Sequence, residues 1–157
     1  MSEGIRVALD RSVEIPAPAA QVWALISDWA GMLRWWLPAE EGGLRGPALV
    51  SCTLIGQPGS VPRTRRMTLA NGTVADETIF YQNDQTRRIW YTKSDEPNLT
   101  GYVASTYVDE LEDGGCTVHL CSRFDVNDPD QNKAAAARFD AVYAAMFDGY
   151  RRYLSRA

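Results

Sequence analysis

The stretch from Asp128 to the end constrains this chain more than any other. After Asp128-Pro129-Asp130-Gln131 comes a run with no proline and a single glycine, in which Phe139, Val142, Tyr143, Met146, Phe147, Tyr150, Tyr153 and Leu154 recur at steps of three and four. That spacing predicts a helix with one broad apolar stripe. Asp128 suits the N-cap, Pro129 the first turn where no N–H is needed, and Gln131 the capping-box position three residues past the cap. A stripe of three tyrosines, two phenylalanines and a methionine needs a broad partner. The only candidate upstream is a large set of strands. A helix closing a sheet over a pocket is therefore expected.

Length and charge narrow what that pocket can serve. At 157 residues the chain is read as one domain, 1–157, large enough to bury roughly 70% of its unfolded surface. A net charge of −4 and a pI near 5.0 argue against nucleic acid, whose affinity rests on phosphate neutralisation by a basic face. The local basic cluster Arg63, Arg65, Arg66 reads as a solvated strand edge. Cys52, Cys116 and Cys121 are odd in number and lack CxxC spacing. Cys116 and Cys121 fall on opposite faces of one predicted strand, so reduced, buried thiols are expected. The N-terminus has no signal pattern and no stretch reaches the length of a membrane span. A cytoplasmic protein, monomeric or homodimeric, is the default.

Taken in order, Ile5, Val7, Leu9, Val13 and Ile15 alternate with polar residues, as in a half-buried strand. Pro16-Ala17-Pro18 ends it. Pro18 opens a helix carrying Val22, Leu25, Ile26 and Trp29, and Met32 to Trp36 make a short second helix before Pro38. From Ala48 to Val126 no helical period holds. Strands are expected at about 48–55, 63–70, 74–82, 87–93, 99–111 and 116–126, separated by turn signals such as Asn71-Gly72 and Asp113-Gly114-Gly115. Short connections make successive strands antiparallel neighbours.

The faces follow from the period of two. In the last strand Val118, Leu120, Ser122, Phe124 and Val126 point inward. Around Asn71-Gly72 the loop length decides. A loop Asn71 to Thr73 puts Arg65, Met67, Leu69, Ala75, Glu77, Ile79 and Tyr81 on one inner face, and this register gathers more apolar residues than the two-residue alternative. Arg65 and Glu77 then point into the interior.

These residues resemble the SRPBCC (START-like) superfamily, and within it the polyketide cyclase and dehydratase group. The resemblance rests on Ile15-Pro16-Ala17-Pro18 through Trp29, on Trp36-Leu37-Pro38, on Arg65, Gly72 and Glu77 around the turn, on Tyr91, on Pro97 to Tyr102, and on Phe124. It covers nearly the whole chain. It implies an α+β helix-grip fold: a seven-stranded antiparallel sheet curved around a long C-terminal helix, with two short helices between the first and second strands. It also implies an interior apolar cavity for a small hydrophobic or aromatic molecule. Leu120, where related chains often have tryptophan, and Ser60-Val61-Pro62-Arg63, in place of Gly-x-x-Arg, depart from the pattern.

An empty apolar void of ~300 Å³ would cost about 7 kcal/mol at ~24 cal/mol per Å³, so such space is expected to hold side chains, water or ligand. Glu77 is the candidate acid or base, with Arg65, Tyr91 and Tyr102 as partners that can steady an oxyanion. The same Arg65 and Glu77 can equally form a buried structural pair. The expected wall comprises Trp35, Trp36, Met67, Ile79, Tyr81, Ile89, Leu120, Phe124, Phe139, Tyr143 and Phe147. Of Trp35 and Trp36, one is read as lining the entrance and the other as packing on the sheet. Gly149 is either a notch over the ligand or a close approach to a strand. His119, the only histidine, falls on the outer face. No metal site, cofactor or phosphate-cradling loop is expected. Three functions stay open: a cofactor-free cyclase, dehydratase or isomerase; a carrier or sensor without turnover; and an interaction module of the chaperone-activator kind.

Overall fold

The computed structural model describes residues 4–36 and 46–155. Strand β1 (Ile5–Ile15) leads into α1 (Ala19–Ser27) and a single 3-10 turn, Gly31–Arg34. Six strands follow: β2 (Leu49–Ile55), β3 (Arg63–Leu69), β4 (Val74–Asn83), β5 (Arg88–Lys93), β6 (Leu99–Glu110) and β7 (Cys116–Val126). A 3-10 turn, Pro129–Gln131, then feeds the long helix α2 (Asn132–Leu154). The sheet is antiparallel throughout, in the order β1-β7-β6-β5-β4-β3-β2. Each hairpin pairs chain neighbours, and only β1 crosses to the far edge beside β7. This is the expected helix-grip sheet. Leu37 and Pro38 of the Trp-x-Pro segment lie outside the described residues.

The register shifts at Leu49/Ser51, Ile79/Tyr81 and Thr100/Val103. Extra residues of this kind bend and twist the strands that carry them, which lets the sheet wrap a helix. Gly101 sits in the third irregularity with φ +66, a conformation that costs glycine no Cβ clash. On the inner face Val118, Leu120, Phe124 and Val126 are fully buried, as their alternation requires.

The start of α2 differs from expectation in an instructive way. Asp128 accepts the Asp130 N–H at 3.0 Å, so it caps the 3-10 turn, and the α-helix proper begins four residues later. Gln131 makes no capping bond. The Asp128 N–H that a capping-box partner would satisfy is taken instead by the Asn98 side chain from the β5–β6 loop at 2.7 Å.

The basic cluster on β3 is not a solvated edge, because β2 covers that edge. Only Arg66 is exposed, held by Asp76 on the outer face. Arg63 and Arg65 are 2% and 3% exposed. They point inward to the end of α1, where Arg63 donates to Ser27 O at 2.9 Å and Arg65 to Trp29 O at 3.4 Å. Cations suit the unsatisfied carbonyls and negative dipole end of a helix C-terminus.

A candidate binding site between the sheet and the long helix

The β3–β4 hairpin builds the centre of the site. Its turn spans 70–72 rather than the expected Asn71 to Thr73, closed by the Leu69 N–H donating to Thr73 O at 2.9 Å with Gly72 at φ +84; this sets Arg65 opposite Glu77 and Met67 opposite Ala75, all on the inner face. Arg65 donates from Nε and one terminal nitrogen to Glu77 Oε1, at 3.3 and 3.2 Å. Glu77 Oε2 has no hydrogen-bond partner among the described residues. The guanidinium lies 3.7 Å from the Trp29 ring centroid, and the Trp29 indole N–H is given to Glu77 O at 3.0 Å. Burial opposes the charge on Arg65 more than any single neighbour favours it, but Glu77 together with Tyr91, Cys52 and Tyr150 outweighs it, and the net effect raises the guanidinium above its ordinary value.

Above this pair, between the sheet and α2, lies a cavity of about 140 Å³. Arg65, Met67, Glu77, Tyr91, Lys93 and Tyr102 line it from the sheet; Phe139, Val142, Tyr143 and Met146 line it from α2, and Trp36 from the turn after α1. Exposed Val74, Ser94 and Asp95 also line it, so it opens to solvent between the β3–β4 turn and the β5–β6 loop. Left empty, a void of this size would cost about 3 kcal/mol.

One end of the wall is a chain of hydroxyls. Tyr143 donates to Ser122 Oγ at 2.6 Å, and Tyr102 and Tyr143 hydroxyls are 2.7 Å apart. A phenol has one proton, so with Tyr143 donating to Ser122, Tyr102 donates to Tyr143. Burial lifts Tyr91 and Tyr102 well above the usual phenol range and pushes Tyr143 up to about 12. All three are therefore neutral hydroxyls at physiological pH.

The other end is ionic. Lys93, opposite Glu77 on the neighbouring strand, bonds to Glu96 Oε2 at 2.8 Å. Arg138 of α2 grips both Glu96 oxygens, at 2.9 and 3.1 Å. Burial lifts the Glu96 carboxyl, but Arg138 and Lys93 outweigh it and hold it below its ordinary range.

The structure brings together Arg65, Met67, Glu77, Tyr91, Tyr102, Phe139, Tyr143 and Trp36 and corrects the rest of the expected wall. Tyr81 is 44% exposed. The bulge after Ile79 pairs Tyr81 with Trp90 rather than with Ile89, turning it outward and placing Gln82 opposite Ile89. Ile79, Ile89, Leu120 and Phe147 are buried core residues outside the cavity. In that part of the core α1 packs on β6 and α2. Phe124 forms a second layer, its ring 6.0 Å from Tyr102 and 4.9 Å from Phe139. Trp35 packs on α2 rather than on the sheet, with its ring 4.6 Å from Tyr150. Gly149 faces Trp35 as well: a Cβ there would sit 2.3 Å from Trp35 O, so its contact is a turn and not a strand. His119 is on the outer face, stacked 4.3 Å from Tyr107 and 3.3 Å from Asp109.

Sequence reasoning missed Lys93, Glu96, Arg138 and Ser122. Lys93 was findable, since it lies two residues from Tyr91 and so shares its face, and Arg138 sits one turn before Val142 on the helix.

A curved seven-stranded antiparallel sheet gripping a C-terminal helix over a small cavity defines a helix-grip, ligand-binding class of protein. The chain belongs to the family described as polyketide cyclase / dehydrase and lipid transport, which matches residues 6–155. Membership supports hydrophobic ligand binding as its class of activity. Similar solved structures include a protein of Thermobifida fusca, 28% identical, with 93% of this chain and 94% of that one covered and a TM-score of 0.67. XoxI from Bacillus cereus is 21% identical, with 94% and 96% covered and a TM-score of 0.73. A norcoclaurine synthase point mutant from Thalictrum flavum, in complex with a transition-state analogue, is 18% identical, with 99% of each chain covered and a TM-score of 0.74. No curated protein matches the chain. Among the described residues no helix is long and apolar enough to cross a membrane.

Proposed function

We propose that this chain acts as one ligand-binding domain that takes a small aromatic or apolar molecule into the cavity and transforms it without a cofactor, as a cyclase, dehydratase or isomerase. The observation that carries this reading is the Glu77 carboxylate. Both Arg65 bonds go to Oε1, which leaves Oε2 without a partner among the described residues on the wall of a largely apolar cavity. Glu77 Oε2 takes a proton from a carbon beside the ligand's carbonyl. Arg65 or Tyr91 steadies the oxygen that gains charge, and Glu77 returns the proton at a second position. Tyr102 serves as support rather than donor, because its proton goes to Tyr143. Norcoclaurine synthase of the same fold is seen with dopamine and hydroxybenzaldehyde. A single ring is also the size that about 140 Å³ accommodates, since a dry cavity of ~150 Å³ holds benzene.

The family's description also covers lipid transport, which favours a second reading, a carrier that binds without turnover. Native mass spectrometry of the purified protein identifies a co-purified molecule, and Glu77→Gln then separates the two readings. An enzyme loses product formation by at least a hundredfold while ligand affinity stays within a few-fold. Unchanged turnover in Glu77→Gln removes Glu77 from the chemistry, and no turnover in the parent protein leaves the carrier.

A further inference from the structure

Glu77 and Lys93 stand opposite each other on β4 and β5, both facing the cavity, yet they do not pair. Glu77 takes Arg65 and Lys93 takes Glu96. An ammonium has three donors. Lys93 lines the cavity with a side chain only 10% exposed and makes one hydrogen bond, to Glu96, so among the described residues two donors of a nearly buried cation have no acceptor. Arg138 has both forks filled by Glu96 and has less to offer. Among the described residues the inner wall carries one net positive charge, since Arg65 cancels Glu77 and Glu96 balances one of Lys93 and Arg138; Asp95 at the opening brings the full lining to zero. Asp95 stays at the exposed rim, its carboxylate engaged by the Gly101 N–H at 3.0 Å, where water screens it.

From this geometry we infer that the cavity is built for a monoanionic ligand, a single-ring or similarly sized apolar body bearing a carboxylate that Lys93 receives. This inference rests on the cavity reading above and adds the ligand's charge and where it sits. The apolar body lies among Phe139, Val142 and Met146. The carboxylate accepts from the Lys93 ammonium at the mouth, beside Glu96, which competes for the same cation. A dianion such as a phosphate monoester would carry more charge than the wall balances.

The test uses the full chain with trans-cinnamate and its neutral isostere trans-cinnamamide, followed at neutral pH by calorimetry and by amide shifts of Met67 and Tyr91. Cinnamate is expected to bind at least about tenfold more tightly, the scale of a charge-assisted hydrogen bond. Lys93→Met abolishes that preference while cinnamamide, whose carbonyl loses only a neutral acceptor's bond, weakens by no more than a few-fold, and toluene still shifting Met67 and Tyr91 shows that the cavity persists. Lys93→Arg retains part of the preference. Glu96→Gln strengthens cinnamate a few-fold and not the amide. Equal affinity for acid and amide, or a preference that survives Lys93→Met, overturns the carboxylate assignment and leaves the cavity reading standing. Failure of cinnamate, cinnamamide and toluene alike to shift cavity residues overturns both.

Discussion

The buried pair on the β3–β4 hairpin supports a worked prediction, because the same hairpin carries its own control one residue along. Arg65 and Glu77 have side chains 4% and 10% exposed. Removing Glu77, as Glu77→Leu, leaves a guanidinium with one carbonyl at 3.4 Å and the Trp29 ring and no counter-charge, a loss of about 3–5 kcal/mol. Removing Arg65, as Arg65→Met, falls at the lower end of that range, since cavity water can reach the Glu77 carboxylate. The double variant replaces two charges with packed apolar side chains and should lie within about 1–2 kcal/mol of the parent. The coupling in the cycle is then at least about 2 kcal/mol. Arg66–Asp76, next in register with two bonds of 2.9 Å but side chains 51% and 32% exposed, should couple by under about 1 kcal/mol. Urea unfolding with matched slopes measures all seven proteins. Additivity of Arg65 and Glu77 within about 0.5 kcal/mol, or equal coupling in the two pairs, would refute the argument that burial sets the strength of this interaction.

Two further outcomes follow from packing and protonation. Gly149→Ala gains ~1 kcal/mol of helix propensity, but the new Cβ meets Trp35 O at 2.3 Å and Trp35 Cε3 at 3.1 Å, so a net loss of about 1–2 kcal/mol is expected from overpacking; a higher melting temperature would contradict it. Tyr143 ionises near 10.0 when unfolded and at about 12 when folded. Its contribution is therefore complete below pH 10 and is lost as pH rises from there to the folded value, by up to about 1.4 kcal/mol per pH unit. Tyr143→Phe should flatten the fall of stability between pH 10 and 11.5, and profiles that run parallel would show that Tyr143 is not the group responsible.

The strands, the turns between them and the stripe of α2 were legible in the sequence, because their signals are local: a period of two, a period near 3.6, and turn residues such as Asn71-Gly72 that fix a register. The expected loop, Asn71 to Thr73, put Arg65 and Glu77 on one face but set Arg65 opposite Ile79; the turn closes one residue earlier, at Leu69 and Thr73, and brings Arg65 opposite Glu77. The period fails where one residue is added, and the bulge after Ile79 carries Tyr81 to the outside with no mark in the composition of β4. Partner choice was equally hidden. Nothing local says that Lys93 takes Glu96 rather than Glu77, or that Asn98 rather than Gln131 takes the Asp128 N–H, since each depends on a loop brought in from elsewhere. The cavity is the remainder left after α1, the sheet and α2 have packed. Its place beside Glu77, its size of about 140 Å³ and its ionic mouth were decided by how those surfaces meet, and a volume left between distant segments has no sequence pattern of its own.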